Sequence, residues 1–272
     1  MITRVFLVCT LLLLLSGPAR AEIALELTGK ATEGGLLIGK TDPGASVTLD
    51  GKAVRTSEDG HFLLGFGRDE TGSKQLQIAL MGQVIRRDIA IAERAFKTER
   101  VDGLPERKVT PDPKALERIR QESAEMAAVK ASSTAKPLFL SGFLWPARGR
   151  ISGIYGSQRI LNGKPRRPHY GTDVAAPVGT PVHAIADGKV VYVHDGMFFN
   201  GKTVLIDHGL GLRSVYIHLS ETLILQGSMV RAGERIGAVG QTGRATGPHL
   251  HFALTLDETP IDAELLLGPM PE

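Results

Sequence analysis

The sequence predicts a mainly β chain in two domains, joined by a linker with one helix. Three observations carry this. Short apolar runs alternate between residues 22 and 95 and stop at Asp-Gly turns. From Leu138 onward glycines recur every few residues, with β-branched stretches between them. A charged, proline-containing segment with a helix-start signal separates the two. A length of 272 residues suits one or two domains, and 42% hydrophobic content is that of a globular chain with a real core.

Residues 1–21 are expected to be a secretory signal peptide. Arg4 gives a positive start, Val5 to Leu15 form a short apolar run, and Ala19-Arg20-Ala21 offers small residues for cleavage. A membrane span needs ~20 apolar residues, so no transmembrane segment is expected here. The mature chain would start near Glu22. Cys9 is the only cysteine and lies inside the apolar run, away from the cleavage point. The mature chain therefore has no thiol for a disulfide, and any metal site must use His, Asp or Glu.

Residues 22–95 read as a small β-sandwich-like module. Val47 and Leu49 alternate before Asp50-Gly51. Phe62 and Leu64 follow Asp59-Gly60. Leu76, Ile78 and Leu80 alternate up to Gly82, and Ile89 and Ile91 close the series. The turn spacing resembles bacterial immunoglobulin-like or carboxypeptidase-regulatory-like modules. Residues 96–137 are the linker, charged over 96–111 and then helical. Asp112 can cap a helix with Pro113 at its first position, and Leu116, Ile119 and Met126 form its apolar stripe. Small polar residues from Ala131 to Lys136 read as a flexible joint. Residues 138–272 read as a separate β domain, with strands over Lys189–Val193, Thr203–Asp207, Arg213–His218, Arg235–Val239 and His249–Leu256.

Charge argues against a nucleic-acid partner. The chain carries 32 basic and 29 acidic residues, a net of +3, and loss of Arg4 and Arg20 would leave +1. A nucleic-acid binder shows a clustered basic excess. Lys164-Pro165-Arg166-Arg167 is a local run that reads as a solvated loop, as does the whole insert Leu161–Pro168.

Five side chains carry candidate chemistry: His169, Asp173, His218, His249 and His251. Alternation on a strand puts His249 and His251 on one face, with Leu250 turned into the core. His169 and Asp173 are four apart, but Pro168 and Gly171 disfavour a helix, so a bent loop entering a strand must bring them together. His218 closes a strand, with Tyr216 expected on its face. A catalytic zinc takes three nitrogen or oxygen ligands and keeps one position open. Five candidates exceed that need. His61 reads as a surface residue on a turn, His183 and His194 as residues on or beside strands, and His208 as a turn position; Arg244 reads as a surface arginine, with contact to a substrate carboxylate as the alternative.

The contexts of the five are more telling than their number. They are His169-Tyr170-Gly171-Thr172-Asp173-Val174-Ala175-Ala176-Pro177-Val178-Gly179-Thr180-Pro181-Val182, Ala186-Asp187-Gly188-Lys189-Val190, Ile206-Asp207-His208-Gly209, Tyr216-Ile217-His218-Leu219, and Gly240-Gln241-Thr242-Gly243-Arg244-Ala245-Thr246-Gly247-Pro248-His249-Leu250-His251-Phe252. In this order and spacing, from Trp145 to Leu256, the chain resembles the lysostaphin-type, or LytM-domain, zinc metallopeptidases that cut peptidoglycan peptides. The resemblance implies an antiparallel β peptidase domain holding one Zn2+ per chain through His169, Asp173 and His251. It implies catalytic roles for His218 and His249, one as base and one as oxyanion stabiliser, in an unassigned order. The loop Gly240–Gly247 would wall a groove.

The implied function is an exported endopeptidase, periplasmic in a Gram-negative cell, that hydrolyses peptide cross-links of peptidoglycan by zinc-activated water. Its partners would be stem or cross-link peptides. The alternative is a non-catalytic peptidoglycan-binding or amidase-activating module. The helix from Asp112 and the first domain could also cover the cleft, as an autoregulatory element, until displaced. The scissile bond and the oligomeric state are not legible.

Overall fold

The computed structural model describes residues 22–103 and 106–271. The expected signal peptide, residues 1–21, lies outside the described residues. Among those described, no helix is long and apolar enough to cross a membrane.

Seven strands build the first part: β1 (Leu25–Gly29), β2 (Leu36–Thr41), β3 (Ser46–Leu49), β4 (Lys52–Val54), β5 (His61–Gly65), β6 (Gly72–Leu80) and β7 (Gln83–Ile91). They form two antiparallel sheets, ordered β1-β2-β5 and β4-β3-β6-β7. At Asp50-Gly51 both residues have positive φ, 48° and 75°, as a two-residue hairpin turn requires. Leu37, Phe62 and Leu64 of one sheet pack with Val47, Leu76, Ile78 and Ile89 of the other. The three-stranded sheet also buries its second face. Leu36 and Leu63 belong to one core with Leu254 and Ile261 from the far end of the chain. The buried Asp262 accepts a 2.7 Å hydrogen bond from Arg94 Nη2 across the same seam. The two halves thus share an apolar interface instead of meeting through a linker alone.

The expected linker is largely structured. β8 (Thr98–Val101) and α1 (Glu106–Val109) precede α2 (Pro113–Lys130). Asp112 caps α2 by accepting from the Ala115 N–H at 2.8 Å, and Pro113 takes the first turn, where its missing N–H costs nothing. Met126 and Val129 of α2 pack against Tyr192, Leu205 and Val215, while Leu116 stays partly exposed. The joint at 131–136, expected to be flexible, is tied down. Fully buried Arg213 donates to the carbonyls of Lys130 and Ser132 at 2.7 and 2.9 Å. Buried Asp207 accepts from Ser133 Oγ at 2.6 Å and Thr134 N at 2.8 Å. Small polar residues are there to satisfy two buried charges, which would otherwise be costly.

The remaining strands are β9 (Arg150–Gly153), β10 (Gln158–Leu161), β11 (Lys164–Pro165), β12 (Thr172–Ala175), β13 (Pro181–His183), β14 (Gly188–Met197), β15 (Gly201–Gly209), β16 (Leu212–Leu219), β17 (Glu221–Thr222), β18 (Met229–Val230), β19 (Arg235–Ala238), β20 (His249–Leu256) and β21 (Thr259–Ile261), with a short α3 (Glu264–Leu267) at the end. An antiparallel sheet ordered β18-β14-β15-β16-β20-β12-β9, with β21 added to β20, forms the frame. Val190, Val204, Ile206, Tyr216, Leu250 and Phe252 fill the core on one of its faces. The opposite alternation of β20 and β12 supplies the cleft.

The insert 161–168, expected as a loop, forms a hairpin. Asn162 and Gly163 adopt positive φ of 46° and 75° and join β10 to β11, with Leu161 paired to Lys164. β8 pairs with β10 in parallel, from Thr98 opposite Gln158 to Val101 opposite Leu161. Val109 and Leu161 are buried together with Val101 beside them.

Candidate active site

The β12–β20 ladder sets Asp173 opposite His251 and Ala175 opposite His249. His169 enters from the loop before β12. Three donor atoms converge: His169 Nε2 lies 3.1 Å from Asp173 Oδ1 and 2.9 Å from His251 Nδ1, and the last pair is 2.6 Å apart. His169 Nδ1 lies 3.1 Å from the Ile154 carbonyl, which can only accept, so this nitrogen carries the proton of the neutral ring. Its Nε2 then presents a bare lone pair to the other two. Three electron-rich atoms at this spacing can all lie about 2.0 Å from one centre, as a bound cation requires.

Two glycines make the approach possible. A Cβ on Gly153 would lie 2.4 Å from Asp173 Oδ2, and one on Gly171 would lie 2.8 Å from the His251 ring and 2.5 Å from the Phe252 carbonyl. Any side chain at either place would displace a donor.

His218 and His249 flank this cluster. Their ring centres are 4.8 Å apart, and His249 Nε2 lies 3.9 Å from Asp173 Oδ1. Each has its Nδ1 against a backbone carbonyl, Thr242 at 2.8 Å for His218 and Gly247 at 2.9 Å for His249. In the neutral rings both Nε2 atoms are therefore free to accept a proton.

Tyr216 was expected on the face of His218, and it lies elsewhere. Tyr216 is fully buried in the core against Phe252, on the other side of the sheet. Register explains this: Ile217 is the residue opposite His251. His218 reaches the cleft because its φ is 64°, which breaks the alternation at the strand end. Left-handed backbone at a non-glycine residue needs outside support. Here the His218 N–H donates to Asn200 O at 2.8 Å, its ring to Thr242 O, and Gly240 sits flush against its carbonyl.

Electrostatics sets the charge states of these groups. Burial raises the Asp173 carboxyl, but the close contacts with His169 and His251 outweigh it and hold it well below the usual carboxylate range. Burial pushes His251 down to about 4 against the pull of Asp173. His218 is pushed down to about 3 by burial and then by His249 and His251. These rings are neutral at ordinary pH, the form that binds metal or takes a proton.

A cavity of about 410 Å³ opens beside His169, His218 and His251, and a second of about 180 Å³ adjoins it beside Asp173, His218 and His249. Val109, Glu99 and Val101 of the former linker line these cavities, and Arg244 to Thr246 form a wall. None of their described lining residues comes from α2.

Sequence reasoning missed Arg159. Its Nη2 lies 2.7 Å from Asp173 Oδ2, so the carboxylate is held on both oxygens. The Asn162-Gly163 turn was the available signal, since it places Arg159 on a strand facing back toward the loop of His169. His183 and His194 stay outside the cleft. His208 is a core residue: its Nδ1 lies 2.7 Å from Asp187 O and its Nε2 2.7 Å from Ser214 Oγ.

Comparison with known proteins agrees with this geometry. The profile of Peptidase family M23 matches residues 167–263. Over 125 residues the chain is 42% identical to peptidoglycan DD-endopeptidase ShyA of Vibrio cholerae, a match spanning 46% of this chain and 29% of that protein. Over 124 residues it is 45% identical to the DD-carboxypeptidase/endopeptidase Mpg of Neisseria meningitidis, spanning 45% and 28%. The chain thus spans under a third of these curated relatives. A crystal structure assigned to peptidase M23 from Pseudomonas aeruginosa aligns with a TM-score of 0.67 at 30% identity, covering 88% of this chain and 96% of that one. Motifs, fold and near full-length alignment lead to one assignment: the chain belongs to peptidase family M23.

Proposed function

We propose that this chain is an exported zinc-dependent endopeptidase acting on the peptide cross-links of bacterial peptidoglycan. The observation that carries the reading is the triangle of His169 Nε2, Asp173 Oδ1 and His251 Nδ1, 2.6–3.1 Å on a side, with two further imidazoles beside it. Two nitrogens and one carboxylate oxygen suit zinc, and a chain whose only cysteine is Cys9 offers no thiolate alternative in the cleft. His169, Asp173 and His251 would hold the ion. When bound, zinc supplies Lewis acidity and brings the pKa of water toward ~7.

The chain's own residues do the rest. Arg159 and the two imidazoles fix the Asp173 carboxylate. The Nε2 atoms of His218 and His249 face the cleft, so in the neutral ring either can take the proton of the attacking water and return it to the leaving amine. Once protonated, the same nitrogen is a donor for the developing oxyanion. The carbonyls of Thr242 and Gly247 hold the tautomer that makes this possible. Relatives named as peptidoglycan DD-endopeptidases support the cross-link as substrate.

Purified protein incubated with cross-linked muropeptides should release monomers identifiable by mass. It should hold about one zinc per chain. Asp173→Ala should lose both. Equal product from wild type and variant would sink the reading, and a wild type that binds no zinc would favour a non-catalytic module.

A further inference from the structure

Among the described residues, four arginines, Arg159, Arg166, Arg167 and Arg244, line the two cavities of the cleft, against Asp173 and Glu99 as the acidic lining residues. Asp173 is already engaged by His169, His251 and Arg159. The positive charge is therefore in excess at the place where substrate must enter.

Two of these arginines are held in position by other means. The Arg244 guanidinium lies over the Phe199 ring, 4.3 Å from its centre, and its backbone N–H donates to Phe199 O at 2.7 Å. Arg166 Nη2 donates to Val109 O at 2.9 Å. Arg159 uses Nη2 on Asp173, while its buried Nε makes no hydrogen bond among the described residues. Burial, then the charges of Arg159 and Arg166, push the Arg244 guanidinium down from its ordinary value. Guanidinium groups crowded together and partly desolvated are stabilised by an anion with planar acceptor geometry.

The geometry points to a carboxylate-binding subsite formed by Arg166 and Arg244, with Arg159 at its rim, that selects substrate peptides bearing a free carboxylate within a residue or two of the scissile bond. This rests on the peptidase reading above. It names what that site selects, and it gives a task to the hairpin β10–β11 and to α1, whose Val109 carbonyl steers Arg166. A carboxylate is preferred over phosphate because the surrounding wall is built for a peptide: Val109, Leu161 and Phe199 line the same cavity.

The test uses the zinc-loaded full chain and three versions of one cross-linked muropeptide: all carboxylates free, the carboxylate beside the cross-link amidated, and the chain-end carboxylate amidated. Wild type should cleave the free form with a kcat/KM about tenfold above one of the amidated forms, and the form that suffers identifies which carboxylate is bound. Arg166→Gln and Arg244→Gln, tested singly, should bring that ratio close to one while zinc content stays at one per chain. A wild type with equal rates on all three, or variants that keep the full ratio, would overturn the subsite. Calorimetric binding of the same peptides to the chelator-treated chain gives a readout that needs no turnover. If no peptide is cut, the peptidase reading fails by itself. The subsite then stands only if the free form binds wild type more tightly than either variant.

Discussion

The two sides of the cleft are built from different material. The histidine side stands on β12, β16 and β20, neighbours in the central sheet, where ladder register fixes Asp173, His249 and His251, while His169 enters from the loop before β12 and His218 turns in at the end of β16. The arginine side stands on a two-residue-turn hairpin, a four-residue strand and one helical turn, whose common core is Val109 and Leu161 with Val101 beside them, together with the loop that carries Arg244 against Phe199. The difference matches the demands. Chemistry needs atoms held within fractions of an ångström, and long paired strands give that. Selection of a charged substrate tolerates more freedom, and short surface elements can change without disturbing the frame.

The sharpest way to break the histidine side removes none of its donors. Gly153→Ala puts a methyl 2.4 Å from Asp173 Oδ2 and 3.0 Å from its carboxyl carbon, so the carboxylate must move. Zinc affinity should fall by about 100-fold, by analogy with loss of outer-shell support, and hydrolysis with it. Competition with a chromophoric chelator measures this directly. Affinity unchanged from wild type would mean that the site relaxes freely, against the rigidity argued for it.

Under the same sheet lies a second consequence of burial. His208 is fully buried, and burial pushes it down to about 4 despite the Asp187 carbonyl and the nearby carboxylates. It is neutral in the folded chain, while an unfolded histidine protonates near 6.5. Below that pH the unfolded state binds the extra proton, so stability is lost as pH falls from about 6.5 to about 4. The shift corresponds to about 3 kcal/mol. Urea unfolding of wild type and His208→Gln should show a stability gap that narrows by about that amount between pH 7 and pH 4. A constant gap would remove His208 as the cause.

Arg159 joins the two sides, since it belongs to the hairpin and touches Asp173. Arg159→Gln should weaken zinc binding by about tenfold, less than Gly153→Ala, because the carboxylate keeps both imidazole contacts. Arg159→Lys should not restore it fully, as an ammonium cannot offer a planar fork. Full affinity in the glutamine variant would confine Arg159 to the substrate side.

Strands β14, β15, β16 and β20 of the central sheet were legible because they are long, apolar and bounded by glycine, whereas the short β9, β12, β18 and β21 were not. β20 runs over His249–Leu256 as expected, and Leu250 is buried as alternation requires. The Asp112 cap and Pro113 were readable for the same local reason. The five histidine and aspartate positions were singled out as candidates through motif context, since neither His-x-His nor a four-residue spacing is specific alone. What could not be read depends on distant partners. β8 forms by pairing with a strand 60 residues on, at Thr98 and Gln158. The positive φ of His218 depends on Asn200, Gly240 and Thr242. Residues 131–136 looked mobile because Asp207 and Arg213, which bind them, are far along the chain. The Asn162-Gly163 hairpin was legible in principle, and reading it would have led to Arg159.

The smallest effect is the one that best separates the two sides. Leu161 is buried against Val109 at the base of the hairpin and lines both cavities without touching a donor atom. Leu161→Ala leaves a gap beneath β10 and α1, so the arginines lose support while the sheet keeps its register. KM for a cross-linked muropeptide should rise by up to about tenfold, with kcat and zinc content close to wild type, since only substrate placement is loosened. Steady-state kinetics with parallel metal analysis decides it. A fall in kcat together with zinc would show that the hairpin supports Asp173 through Arg159 strongly enough for the two sides to act as one unit.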